Sequence, residues 1–135
     1  MVPSHPGPVW LVLSIFVPES AGYGVRAINL VASDFKPGAT MLFNTAPTEV
    51  AVKLDGVNPV AVRQGSSQLL TVPPGFKENM ISVQIYDRKS ASDPWRIAQS
   101  TRWPVDNRFR SYLFFYNLQG SNQLCLHGIT ERIGP

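Results

Sequence analysis

From Glu49 to Leu54 apolar and polar positions alternate: Val50, Val52 and Leu54 fall on one side of an extended chain, Ala51 and Lys53 on the other. The same period of two runs from Met80 to Tyr86, where Ile81, Val83 and Ile85 oppose Ser82, Gln84 and Tyr86. Both segments predict strands with one covered and one wet face. Further runs of strand length lie at Trp10–Val17, Val25–Val31, Thr40–Asn44, Val60–Arg63, Ser67–Val72 and Gln123–His127, each bounded by Gly, Pro, Asn or Asp. Asp55-Gly56 is the strongest hairpin signal. The stretch Trp95–Asn117 predicts an aromatic hairpin turned at Pro104-Val105-Asp106-Asn107. Its second strand carries Arg110, Tyr112, Phe114 and Tyr116 on one side and Leu113 and Phe115 on the other, which predicts a central position in a sheet. No segment keeps a 3.6-residue period long enough for a helix. The pattern predicts an all-β protein of about nine or ten short strands. The recurrent polar side favours an antiparallel β-sandwich over a barrel.

Val9–Val17 lies where the apolar segment of a signal peptide would lie. Met1–Pro8, however, contains no Lys or Arg, and Glu19 precedes Ala21 at a position that favours a small residue. The run is also less than half the roughly twenty residues that a membrane-spanning helix needs. A first strand is the better reading, and no membrane span is expected. Because structure starts so early, the chain is expected either to be the terminal piece of a longer protein or to begin upstream in its natural form. With no linker in sight, residues 1–135 are expected to form a single sandwich domain, with 1–8 as a disordered or extended lead-in.

The composition agrees with a folded module: 44% hydrophobic and 16% charged residues, in a length that can bury roughly two-thirds of the unfolded surface. Ten glycines and twelve prolines, placed between the apolar runs, punctuate short strands. A net charge of +3 permits anionic partners without demanding them, so nucleic acid is an unfavoured partner. Cys125 is the single cysteine, which rules out a disulfide within the chain, and His5 and His127 are the only histidines. Neither a metal nor another cofactor is expected.

No catalytic motif is assembled. Gly65-Ser66-Ser67 lacks the second glycine of a nucleophile elbow, and the glycine-bearing turns open strands rather than phosphate-binding helices. Cys125 and His127 share a strand face, but a small apolar residue beside a surface histidine explains them more simply than a thiolate pair. The aspartates lie in turns, where turn chemistry accounts for them. The constellation that stands out is an arginine-aromatic surface made of Arg96, Arg102, Arg110, Tyr112 and Tyr116. If Trp95 and Ile97 face the core, Arg96 and Arg102 share the opposite side, and arginines over tyrosine faces suit a protein partner, a polysaccharide or a polyanion. The plainer alternative is that these arginines cover aromatic neighbours and pair with Asp93 or Asp106.

Val25–Leu30, the turn Phe35-Lys36-Pro37-Gly38, Leu42-Phe43-Asn44, the Asp55-Gly56 hairpin and Gly65 give Val25–Ile129 a pattern that resembles uncharacterised immunoglobulin-like families of bacterial, usually extracytoplasmic, proteins. The resemblance implies a fold and a compartment and carries over no site residues. The expected function is a non-enzymatic β-sandwich module with a structural or binding role. The alternatives are a small hydrolase or carbohydrate-active enzyme with Asp87, Asp93 and Asp106 clustered in loops, and a nucleic-acid binder using Arg96, Arg102 and Arg110 with Tyr112 and Tyr116 as stacking platforms.

Overall fold

The computed structural model describes residues 10–17, 22–29, 36–118 and 120–133, and the chain divides into two units, 1–35 and 36–135. Every regular element among the described residues is a strand, and none of them forms a helix long and apolar enough to cross a membrane. The first unit holds an antiparallel hairpin of β1 (Trp10–Val17) and β2 (Gly22–Asn29), in register from Trp10↔Asn29 to Val17↔Gly22. The apolar run at Trp10–Val17 is therefore a strand. The lead-in expected at 1–8 lies outside the described residues.

The second unit contains β3 (Thr40–Asn44), β4 (Glu49–Leu54), β5 (Val60–Val62), β6 (Ser67–Leu70), β7 (Met80–Arg88), β8 (Arg96–Pro104), β9 (Phe109–Asn117) and β10 (Leu124–Arg132). They form two four-stranded sheets, ordered β10-β9-β3-β6 (sheet I) and β5-β4-β7-β8 (sheet II). The sheets share one core. Leu42, Leu70 and Phe115 enter it from sheet I, and Val50, Val52, Leu54, Val62, Ile81, Val83 and Ile85 enter it from sheet II. The alternation in β4 and β7 thus sends one row of each strand into this core, while on the other side of β4 the small Ala51 is buried as well. Between β4 and β5, Gly56 takes a φ of +76°, which a residue with a Cβ rarely adopts, and Val57 N–H donates to the Leu54 carbonyl to close the turn.

Three expectations are corrected. Sheet I is not purely antiparallel, because β3 pairs parallel with β9. The long excursion through sheet II between these two strands gives the chain room to return in the same direction. Second, β8 and β9 do not form a hairpin, since β8 closes sheet II and β9 is central in sheet I. The chain leaves one sheet at Pro104 and enters the other at Phe109, and Val105 N–H donates to the Asn79 carbonyl on the way. Trp103 and Phe115 can then meet the shared core from opposite sheets.

Third, Trp95 and Ile97 do not face the core; they are 37% and 60% exposed. Ile81 pairs with Trp103 and Ile85 with Gln99, but Tyr86 pairs with Ile97 and Asp87 with Arg96, leaving Ala98 unpaired in a β-bulge. The bulge reverses the alternation, so Arg96 lies on the side of buried Asp87 while Ile97 points outward beside Tyr86. As the aromatic pattern predicts, β9 is central and covered on both faces: Phe115 is fully buried, and Tyr112 and Phe114 are buried on the opposite side, where Phe114 stacks on Phe43 with centroids 5.0 Å apart.

Candidate functional site

The two-sheet arrangement disperses the five residues of the expected arginine-aromatic surface. Arg110, Tyr112 and Tyr116 alternate along β9 in sheet I, while Arg96 and Arg102 lie on β8 in sheet II. Within β8 the bulge puts Arg96 and Arg102 on opposite faces, Arg96 paired with Asp87 and Arg102 with Ser82.

Most of these groups hold the fold. Arg96 grips Asp87 with two hydrogen bonds, Nε to Oδ1 at 2.7 Å and Nη2 to Oδ2 at 3.2 Å, and the carboxylate is 2% exposed. This planar, two-point pairing is the geometry arginine offers to a carboxylate. Arg110 Nη2 and the Tyr112 hydroxyl both donate to Glu131 Oε2, at 2.9 and 2.7 Å, across the β9–β10 ladder. These two donors hold the Glu131 carboxyl below its ordinary range, with the tyrosine bond as the larger cause. Burial first, and then the bond to Glu131, push the Tyr112 phenol up from 10.0 to about 12. Tyr112, 4% exposed, is thus no open platform for a stacked base.

The raised phenol has a direct consequence. Because the folded state disfavours phenolate, the contribution of Tyr112 to stability is complete below pH 10 and is lost as pH rises from 10 towards about 12. Unfolding free energies measured at stepped alkaline pH should fall through this window in the wild type and fall less steeply in Tyr112→Phe. Identical slopes for the two proteins would contradict the assignment.

Of the three carboxylates, Asp87 and Asp106 stand at opposite ends of β8. Asp87 pairs with Arg96 at the start of β8, whereas Asp106 follows Pro104 at its far end, roughly 25 Å away along an extended strand. Asp106 accepts from Arg108 Nε, Nη2 and backbone N–H, and these bonds lower its pKa from 3.8 to about 2. Asp93 accepts from the Ser90 hydroxyl in the β7–β8 loop. Cys125 and His127 share the outer side of β10, but the thiol lies 3.8 Å from the Gln123 carbonyl oxygen as donor. No group of three or more metal-ligating side chains occurs among the described residues.

In place of the expected patch, the bulge builds a different one on the outer face of sheet II. Arg88 lies over the Trp95 ring at 4.2 Å while its Nε donates to Glu49 Oε2 at 2.6 Å. In the next rung Ala51, Tyr86 and Ile97 are aligned across β4, β7 and β8. Beyond it the face turns polar through Lys53, Gln84 and Ser100, and Tyr86 donates to Gln84 Oε1 at 2.7 Å. The available sequence signal was the symmetric placement of Arg88 and Trp95 around the polar loop Lys89–Pro94, which brings them together if β7 and β8 pair. Arg102 is exposed on this same outer face and has no ion pair among the described residues.

No protein-family model matches the chain, and comparison with the curated proteins and with the solved structures likewise finds no match.

Proposed function

We propose that residues 36–135 form a non-enzymatic, immunoglobulin-like β-sandwich module that binds a protein partner through the outer face of sheet II. One observation carries this reading: Trp95 and Ile97 are exposed where edge strand β8 begins, with Arg88 over the tryptophan and a polar margin beyond. Tryptophan and arginine are enriched where protein interfaces concentrate their binding energy, and an apolar centre with a polar rim is the usual anatomy of such a surface. Two sheets with one core support the sandwich. The commitment of Asp87 and Asp106 to arginines favours a binding role over a catalytic one. The sequence resemblance to extracytoplasmic bacterial families favours a partner outside the cytoplasm.

The test is affinity capture from an extract of the source organism with wild type, a Trp95→Ala/Ile97→Ser variant and Arg102→Ala. The double variant should lose the captured protein while its stability stays within about 1 kcal/mol of wild type, because exposed side chains and surface cation-π contacts contribute little. Arg102→Ala should weaken capture less. Identical capture by all three proteins would remove the reading.

A further inference from the structure

Between the two sheets of the second unit, at the end where β3 and β7 begin and β4, β6 and β8 finish, lies a cleft of about 190 Å³. Its walls differ in chemistry. On sheet I, Thr40, Ser111 and Thr130 form one rung across β3, β9 and β10, on the same side of β9 as buried Phe115. Facing them on sheet II are Ile81 and its partner Trp103, which is partly buried against the core. None of the three hydroxyls has a hydrogen-bond partner among the described residues, and no charged side chain among them lines the cleft.

The next rung of sheet I reads Leu42, Leu113, Gly128. A glycine inside a strand weakens it and leaves open space beside the backbone. Gly128 is not held there by its own conformation, since its φ lies outside the left-handed region. A Cβ built on it would stand 3.8 Å from Leu113 Cδ1, an ordinary contact. The missing side chain is what leaves this rung short. Gly128, Thr130 and Pro104 are exposed, so the cleft can be entered without unfolding.

We propose that this cleft binds a small, neutral aromatic molecule of one or two rings with a polar edge. Its ring would lie against Trp103 and Ile81, and its polar edge would bond the Thr40–Ser111–Thr130 rung. The size agrees: an apolar cavity of roughly 150 Å³ already accepts benzene. The charge class follows from the lining, because a carboxylate would be desolvated here with no cation to meet it. Aromatic edge and face geometry supplies orientation, and the hydroxyls can donate or accept. The proposal is independent of the protein-binding face, since Trp103 and Trp95 lie on opposite sides of sheet II.

The experiment is a titration of the isotope-labelled chain, followed through its amide resonances, with indole, para-cresol and the anionic indole-3-acetate as probes. Saturable shifts centred on Trp103, Ser111 and Gly128 are expected with the two neutral probes, and binding at least about tenfold weaker with indole-3-acetate. Gly128→Val, which projects methyl groups into the cleft at a strand-compatible position, should weaken indole binding by about tenfold or more while the melting temperature is kept. Should that variant fail to fold, Ser111→Ala/Thr130→Val takes its place and should weaken para-cresol more than toluene. Non-saturable or scattered shifts, equal binding of indole-3-acetate, or indifference to the cleft variants would each overturn the proposal.

Discussion

Phe115→Ala is expected to lower the unfolding free energy by about 3 to 5 kcal/mol, a large share of what a domain of this size holds in reserve. Phe115 is fully buried at the centre of sheet I and belongs to the core that both sheets share. Its removal takes away transfer free energy and leaves a cavity that the flanking β3 and β10 can close only partly, since both are held in register with β9. Chemical denaturation of wild type and variant measures the difference. A loss below about 1 kcal/mol would mean that the sheets are not packed through this side chain.

The second large effect is expected at Asn44, which is 1% exposed and joins three segments. Its Nδ2 donates to the Thr48 and Val62 carbonyls at 2.7 and 2.9 Å, and its Oδ1 accepts from Ala46 N–H at 2.9 Å. The side chain thereby ties the end of β3 in sheet I to β5 in sheet II. Asn44→Asp keeps the shape but sets a carboxylate oxygen against two carbonyl oxygens in a buried position. A cost of roughly 3 kcal/mol or more is expected at neutral pH. The deficit should shrink in acid, where a protonated carboxyl regains one donor. Urea midpoints at neutral and acid pH test both statements, and a variant as stable as wild type at neutral pH would refute them.

Local pattern made β4, β7 and the Asp55-Gly56 hairpin legible, because strict alternation and a turn needing positive φ are short-range signals. The central place of β9 was legible too, from apolar residues on both of its sides. What stayed hidden depends on pairing between distant segments. Counting back in twos from core-facing Trp103 puts Trp95 and Ile97 inside, and only the unpaired Ala98 reverses that phase. Pro104-Val105-Asp106-Asn107 marks a turn, but a turn signal does not say whether the next strand joins the same sheet or the facing one. The Arg110–Glu131 pair requires the β9–β10 register, and the hydroxyl rung requires the register of three strands. Arg96, Arg102, Arg110, Tyr112 and Tyr116 make one surface only if β8 and β9 form a hairpin, and the two strands lie in separate sheets.

Ala98 does more than set which side chains face outward. β8 is the outermost strand of sheet II, and an uninterrupted outermost strand offers a row of free amides and carbonyls on which another chain can build. Where Ala98 loops out, the spacing of that row breaks in mid-strand, so an incoming strand can match Arg96–Ile97 or Gln99–Trp103 but not both. A chain without Ala98 would keep its side chains on their present faces and acquire a continuous ladder along the same edge. The extra residue thus interrupts this edge beside Ile97, the most exposed large apolar side chain among the described residues, and leaves a like strand no continuous row on which to extend the sheet.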